Sequence, residues 1–186
     1  MDARHLTLQE LEAGLDTIRQ SPKESGVLDL IVRRPSVGAR QVMDQGELHT
    51  VDGLLGDTWK VRPSSRRSDG SAHPDMQINV MSSRAVDLIA QGKTRWPLAG
   101  DQLFIDLDVS EENLPPWTKL QIGGATIEVT DQPHTGCIKF VERFGVDAMK
   151  FVNSALGCQL RLRGLNARVV QPGVVTVGDR VTVLKA

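Results

Sequence analysis

The residues best equipped for chemistry in this chain lie together in the run Asp131-Gln-Pro-His-Thr-Gly-Cys-Ile-Lys139. A strand-like stretch leads into a loop carrying Pro133 and Gly136, and a helical pattern starts just after Cys137. A thiol placed there faces unpaired backbone N–H groups and the positive end of the helix dipole, both of which favour thiolate. Lys139 adds positive charge nearby, and His134 either adds another or acts as an acid or base. Gly136, lacking a Cβ, allows the backbone to approach a ligand closely. A soft thiolate in such a setting suits nucleophilic sulfur chemistry or ligation of a metal.

The same residues also admit a plainer reading, in which Cys137 is a small buried hydrophobe. Cys158, near an expected helix end with no charged residue close by, reads as structural. His134-x-x-Cys137 is half of a zinc site, but the other half would have to come from His73, Cys158 or scattered carboxylates without paired spacing, which disfavours structural zinc. The loop 62–73 holds three arginines and four serines, groups that suit phosphate but also suit a solvated loop. No phosphate-binding glycine loop, dinucleotide fingerprint, nucleophile elbow or His-Glu-x-x-His motif is present.

Positioning these groups requires a scaffold, and the hydrophobic period supplies one. Leu8, Leu11, Leu15 and Ile18 recur at helical spacing, so residues 6–19 form a helix that covers either the barrel or a partner subunit. Residues 21–26 form a turn. From 27 onward the period is that of strands: 27–32, 40–48, 77–81 and 103–109, the last with Leu103, Ile105, Leu107 and Val109 on one face. Ser82 or Ser83 caps a helix with Ala85, Val86 and Ile89 on its apolar side. Two hairpins are expected, one turning at Gly123-Gly124 and one at Gly178-Asp179. Between them lie two short helical patterns interrupted by Gly145. The chain is therefore mainly β with peripheral helices: a helix and linker over 1–26, then a barrel over 27–186.

Composition sets the limits. The chain has 186 residues, 40% hydrophobic and 24% charged, enough to bury a core. A net charge of −1 gives no global field for nucleic acid, and four Phe, three Trp and no Tyr offer no base-stacking platform. No apolar run approaches membrane-spanning length, and the N-terminus lacks the pattern of a secretory signal. Two cysteines are too few for a disulfide framework. A cytoplasmic protein with reduced thiols is the expectation, with no nucleic-acid or membrane partner.

The runs Leu98-Ala-Gly-Asp-Gln-Leu103 and Gly123-Gly-Ala-Thr-Ile-Glu-Val-Thr130, followed by the loop His134 to Lys139 with its cysteine, resemble the core of the MOSC family. Gly53-Leu-Leu-Gly-Asp57 and the run 167–179 are similar to its start and its closing hairpin. The resemblance implies a MOSC-type β-barrel and an association with molybdenum cofactor (molybdopterin). It implies Cys137 as the metal or sulfur ligand, Thr135 and Gly136 beside it, and reduction of N-hydroxylated small molecules with a redox partner protein. Arg66 and Arg67 are candidate contacts for the pterin phosphate on charge alone. The alternatives are a sulfur or cofactor carrier without turnover, supplied by a sulfur-donor protein, and a non-catalytic interaction module; homodimerisation through the N-terminal helix stays open. The family often has Pro before the cysteine, where this chain has Gly136.

Overall fold

The structure, a computed structural model, describes residues 4–185. Strand β1 (Ser25–Arg33) shows how this sequence makes a barrel wall. Leu28 and Ile31 point into one core while Leu30 and Val32 point into another. Inward residues three apart break the two-residue period of a strand, and the cause is a bulge between Leu28 and Leu30. Along its length β1 pairs with three strands: β2 (Gln41–Met43), β6 (Leu103–Asp106) and β11 (Arg180–Leu184).

The remaining wall strands are β5 (Ile78–Ser82), β7 (Lys119–Ile122), β8 (Ala125–Val129) and β9 (Leu165–Gln171). Among the described residues seven strands close a ring in the order β1-β6-β5-β9-β8-β7-β11 and back to β1. Every neighbouring pair is antiparallel except β5 and β6. That parallel pair needs a crossover, which α3 (Ser83–Ala90) and the 3₁₀ segment Lys93–Ala99 provide. Ser82 caps α3, its Oγ accepting from Ala85 N, as the sequence suggested. The expected alternation holds: Leu103, Ile105, Leu107 and Val109 all face the barrel interior with Leu120, Ile122, Ile127 and Val181.

The C-terminal hairpin does not form. Residues on either side of Gly178-Asp179 are strands, but β10 (Gly173–Thr176) pairs with β3 (Gln45–His49), which also pairs with β4 (Gly53–Leu54). β11 instead completes the ring. The turn is held from outside: Gly178 N donates to Leu28 O and Leu28 N donates to Asp179 O, with Gly178 at φ +96°. Periodicity shows which residues face a core, not which strand lies alongside. The stretch read as 40–48 divides for a similar reason, into β2 and β3 on two sheets.

A second core covers the outside of the wall. The expected helix 6–19 is two, α1 (Leu8–Ala13) and α2 (Leu15–Arg19), broken at Gly14 where a Cβ would collide with Leu88. Leu11, Leu15 and Ile18 pack there with α3 and with Phe140, Phe144 and Phe151. Those phenylalanines come from α4 (Ile138–Phe144) and α5 (Val146–Asn153), which Gly145 separates at φ +91°. A short α6 (Ala155–Gln159) leads to β9. Among the described residues no helix is long and apolar enough to cross a membrane.

Candidate functional site

The loop carrying Cys137 leaves β8 and is pinned at both ends by side-chain amides. At its start Thr130 N donates to Asn166 O (2.9 Å) and Thr130 Oγ1 to Asp75 O (2.6 Å). Asn166 Nδ2 then donates to the carbonyls of Gln132 and Pro133, at 3.1 and 3.3 Å. At its end Asn153 on α5 clasps Gly136, accepting from its N (2.9 Å) and donating to its O (3.3 Å). A Cβ on Gly136 would lie 3.1 Å from Val152 Cγ2. The close approach that this glycine makes within the fold is to α5.

Cys137 is the residue before α4 with its thiol exposed, and its carbonyl accepts from Phe140 and Val141 N. Lys139 is exposed on α4, without an ion pair among the described residues. Thr135 is exposed on the loop. His134 turns inward: Nδ1 stands 3.4 Å from Asp101 Oδ1, and neither atom has a hydrogen-bond partner. Burial, reinforced by the nearby Arg163 guanidinium, pushes the imidazole down to about 3 despite Asp101. His134 is thus neutral at ordinary pH and supplies no positive charge to the thiol. Asp101 Oδ2 is held by Arg163 Nη1 at 2.7 Å.

Beyond this loop lies a set of arginines of which sequence reading singles out only Arg62, in the 62–73 loop. Arg34 is buried and grips Asp57 through Nε and Nη2, both at 2.8 Å. Its Nη1 donates to Asn79 Oδ1, and Asn79 Nδ2 donates to Asn166 Oδ1 (2.6 Å), so a continuous polar chain runs from Asp57 to the cysteine loop. Arg40 has no carboxylate partner among the described residues; it donates to the carbonyls of Pro97 and Ala39. Burial, with the Arg143, Arg34 and Arg62 guanidiniums, pushes it down to about 10. Arg40 Nη2 and Arg143 Nη1 both close on Gly100, within 3.3 and 3.7 Å of where a Cβ would sit. Arg62 donates to Thr58 Oγ1, and Arg143 to Leu98 O. Guanidiniums gathered around one buried carboxylate, Asp57, make a place for an added anion.

An open cavity of about 260 Å³ lies on this side, lined by Arg34, Arg62, Arg66, Trp59, His73 and Asn79. Arg66 also donates to Gln132 Oε1, joining the 62–73 loop to the cysteine loop. Arg67 does not join it: it is exposed and pairs with Asp69 and Ser71 within its own turn. A second cavity, about 360 Å³, is lined by His134, Thr135, Arg161, Arg163 and Cys158. Cys137 lies outside the lining of both. Cys158, read as structural, is exposed.

A family model for the MOSC domain matches residues 67–182, more than half of the chain. The chain belongs to the MOSC domain family. Solved structures agree in fold. YuaD from Bacillus subtilis is similar over 86% of this chain and 95% of its own, with a TM-score of 0.64 and 19% identity. A hypothetical protein covers 91% of this chain and 71% of its own (TM-score 0.56, 20% identity). YiiM from Escherichia coli covers 86% and 70% (TM-score 0.55, 18% identity). No curated protein matches the chain significantly.

The family's association with molybdenum cofactor can be tested against this MOSC domain's own residues. Among those described, no cluster of three or more His, Cys, Asp or Glu could hold a metal ion. A single soft thiol, Cys137, fits one ligand of a metal that an organic dithiolene already carries. The guanidiniums of Arg40, Arg62 and Arg143, which have no carboxylate partner among the described residues, fit the phosphate such a cofactor bears. The donor set therefore suits the group. Much of it was hidden in the sequence because Arg34, Arg40 and Arg143 are scattered; the local signals were the arginines of the 62–73 loop and the doublet Arg33-Arg34 closing an apolar strand.

Proposed function

We propose that this MOSC protein binds molybdenum cofactor and uses it to reduce N-hydroxylated small molecules. The observation that carries the reading is the gathering of the Arg34, Arg62 and Arg143 guanidiniums about Arg40, with Arg34, Arg40 and Arg143 meeting at Gly100. In this reading the arginines hold the phosphate, Arg66 and the exposed Thr135 next to Gly136 contact the pterin, and the Cys137 thiolate ligates the metal. Bound cofactor would supply the redox couple that cleaves an N–O bond. His134 stays buried near Asp101 and takes no charge, while Lys139 offers positive charge on the open side to a substrate or a redox partner. A cytoplasmic setting, with reduced thiols, suits this chemistry.

One observation favours a second reading. Cys137 is exposed and outside both cavities, which suits a carrier that receives sulfur from a donor protein and hands it on. Elemental analysis of protein purified without chelators from molybdate-fed cells separates the two. Near-stoichiometric molybdenum, lost in Cys137→Ala with the fold intact, supports the redox reading. A labile extra sulfur on Cys137 without molybdenum supports the carrier. Molybdenum content and reductase activity unchanged in Cys137→Ser would refute both.

A further inference from the structure

A third cavity, open and about 370 Å³, lies where α3 and the turn at Gly14 between α1 and α2 meet the outer face of the wall. Charge on its lining does not balance. Arg84 is the one cation there, against Asp29, Asp87 and Asp106, and it is already committed. Its Nε and Nη2 hold Asp106 at 2.7 and 3.2 Å, and its Nη1 donates to Thr17 O. Asp87 has a neutral donor, the Trp96 indole N–H at 3.0 Å. Asp29 is the residue inside the bulge of β1, a distortion that re-aims a side chain. It is half-buried and has neither ion pair nor hydrogen bond among the described residues.

A separate observation points to a ligand. Ser83 also lines the cavity, is 5% exposed, and its Oγ has no partner. Residues four apart share a helix face, so Ser83 lies one turn from Asp87 on α3 with its hydroxyl aimed to the same side. A buried hydroxyl is costly to leave unbonded. The carboxylates do not converge on a metal: among the described residues no group of three His, Cys, Asp or Glu could hold one. Apolar surface completes the walls, in Leu88 and the buried Trp96. The Trp96 ring already has Lys93 Nζ 5.4 Å from its centre, so an added cation belongs with the carboxylates.

We propose that this cavity binds a primary ammonium group carried on an apolar body, of the aralkylamine class. An ammonium has three N–H donors, and Asp29, Asp87 and Ser83 Oγ are the acceptors. Leu88 and Trp96 pack the body. Cys137 and the arginines take no part, so the inference is independent of molybdenum.

The test titrates the full chain with phenethylamine and, separately, with its neutral isostere phenethyl alcohol, following the assigned amide and indole N–H signals by NMR. Phenethylamine should move the Trp96 indole signal and bind about fivefold more tightly than the alcohol, the worth of one hydrogen bond to a charged group at a half-exposed site. Asp29→Asn, a change at a position without a native partner, should abolish that preference. Glu142→Gln, an equal loss of charge at an exposed position on α4, should retain it. Magnesium at equal ionic strength should displace the amine no better than sodium. Equal affinity for the two probes overturns the proposal, as does a preference that survives in Asp29→Asn. Selective displacement by magnesium, or a Trp96 signal that does not move, overturns it too.

Discussion

Replacing Asp57 by Asn should be among the most damaging single changes in this protein. The Asp57 side chain is fully buried and that of Arg34 is 5% exposed. Burial alone would raise the carboxyl's affinity for protons. Arg34 outweighs it, through two side-chain bonds, its charge and its backbone N–H, with Trp59 N adding a further bond, so the group stays below the usual range. In Asp57→Asn the Arg34 guanidinium remains buried without its counter-charge, facing the Arg40 and Arg62 cations. Breaking one half of a buried pair costs about 3–5 kcal/mol, and at roughly 2–4 °C per kcal/mol for a domain this size the melting temperature should fall by about 6–20 °C. Urea unfolding and calorimetry measure the loss. The control is Asp52→Asn, which removes an exposed partner of Lys60; solvent screens that pair, so no resolvable change is expected. Added phosphate should recover part of the loss in Asp57→Asn, because an anion among the arginines replaces the missing charge. Equal, small effects of the two substitutions would refute the account of Asp57 as the buried counter-charge of the cluster.

Two further outcomes follow from the geometry. His134 titrates at about 3 in the fold against 6.5 when unperturbed, so the unfolded chain binds more protons between these values. Stability should therefore decline as pH falls below about 6.5, with a slope approaching 1.4 kcal/mol per pH unit, and His134→Gln should flatten melting curves taken between about pH 4.5 and 6.5; identical slopes would count against a buried neutral ring. Gly26→Ala would place its Cβ 1.9 Å from Asp106 O on the neighbouring strand. The backbones of β1 and β6 would have to part, with a loss of about 3 kcal/mol in urea unfolding.

The wall of the barrel was legible because its strands carry the period of a two-faced sheet: Leu103, Ile105, Leu107 and Val109 announce one face unaided. Sheet membership was not. β10 and β11 flank a good turn, yet part to different sheets, since pairing depends on partners far away in sequence. Of the candidate site, the Cys137 loop stood out through residue type and local order. The arginines around Gly100 did not, because convergence in space leaves no trace in spacing. Exposure was also illegible for Cys158: helical pattern locates a residue near a helix end, but only packing decides whether its thiol meets water.

Closure of the ring through β1 bears on how the chain reaches this state. Ser25 lies opposite Thr182 and Val27 opposite Arg180, so a strand some 155 residues downstream of β1 is the one that shuts the wall. Until it arrives, β1 and β7 each present an unpaired backbone edge, open to the wrong partner. Contacts between distant parts of a chain form slowly, since the loop entropy is lost before the pairing is gained. Folding should therefore be slow, and a nascent chain halted before residue 180 should be most exposed to strand-to-strand aggregation.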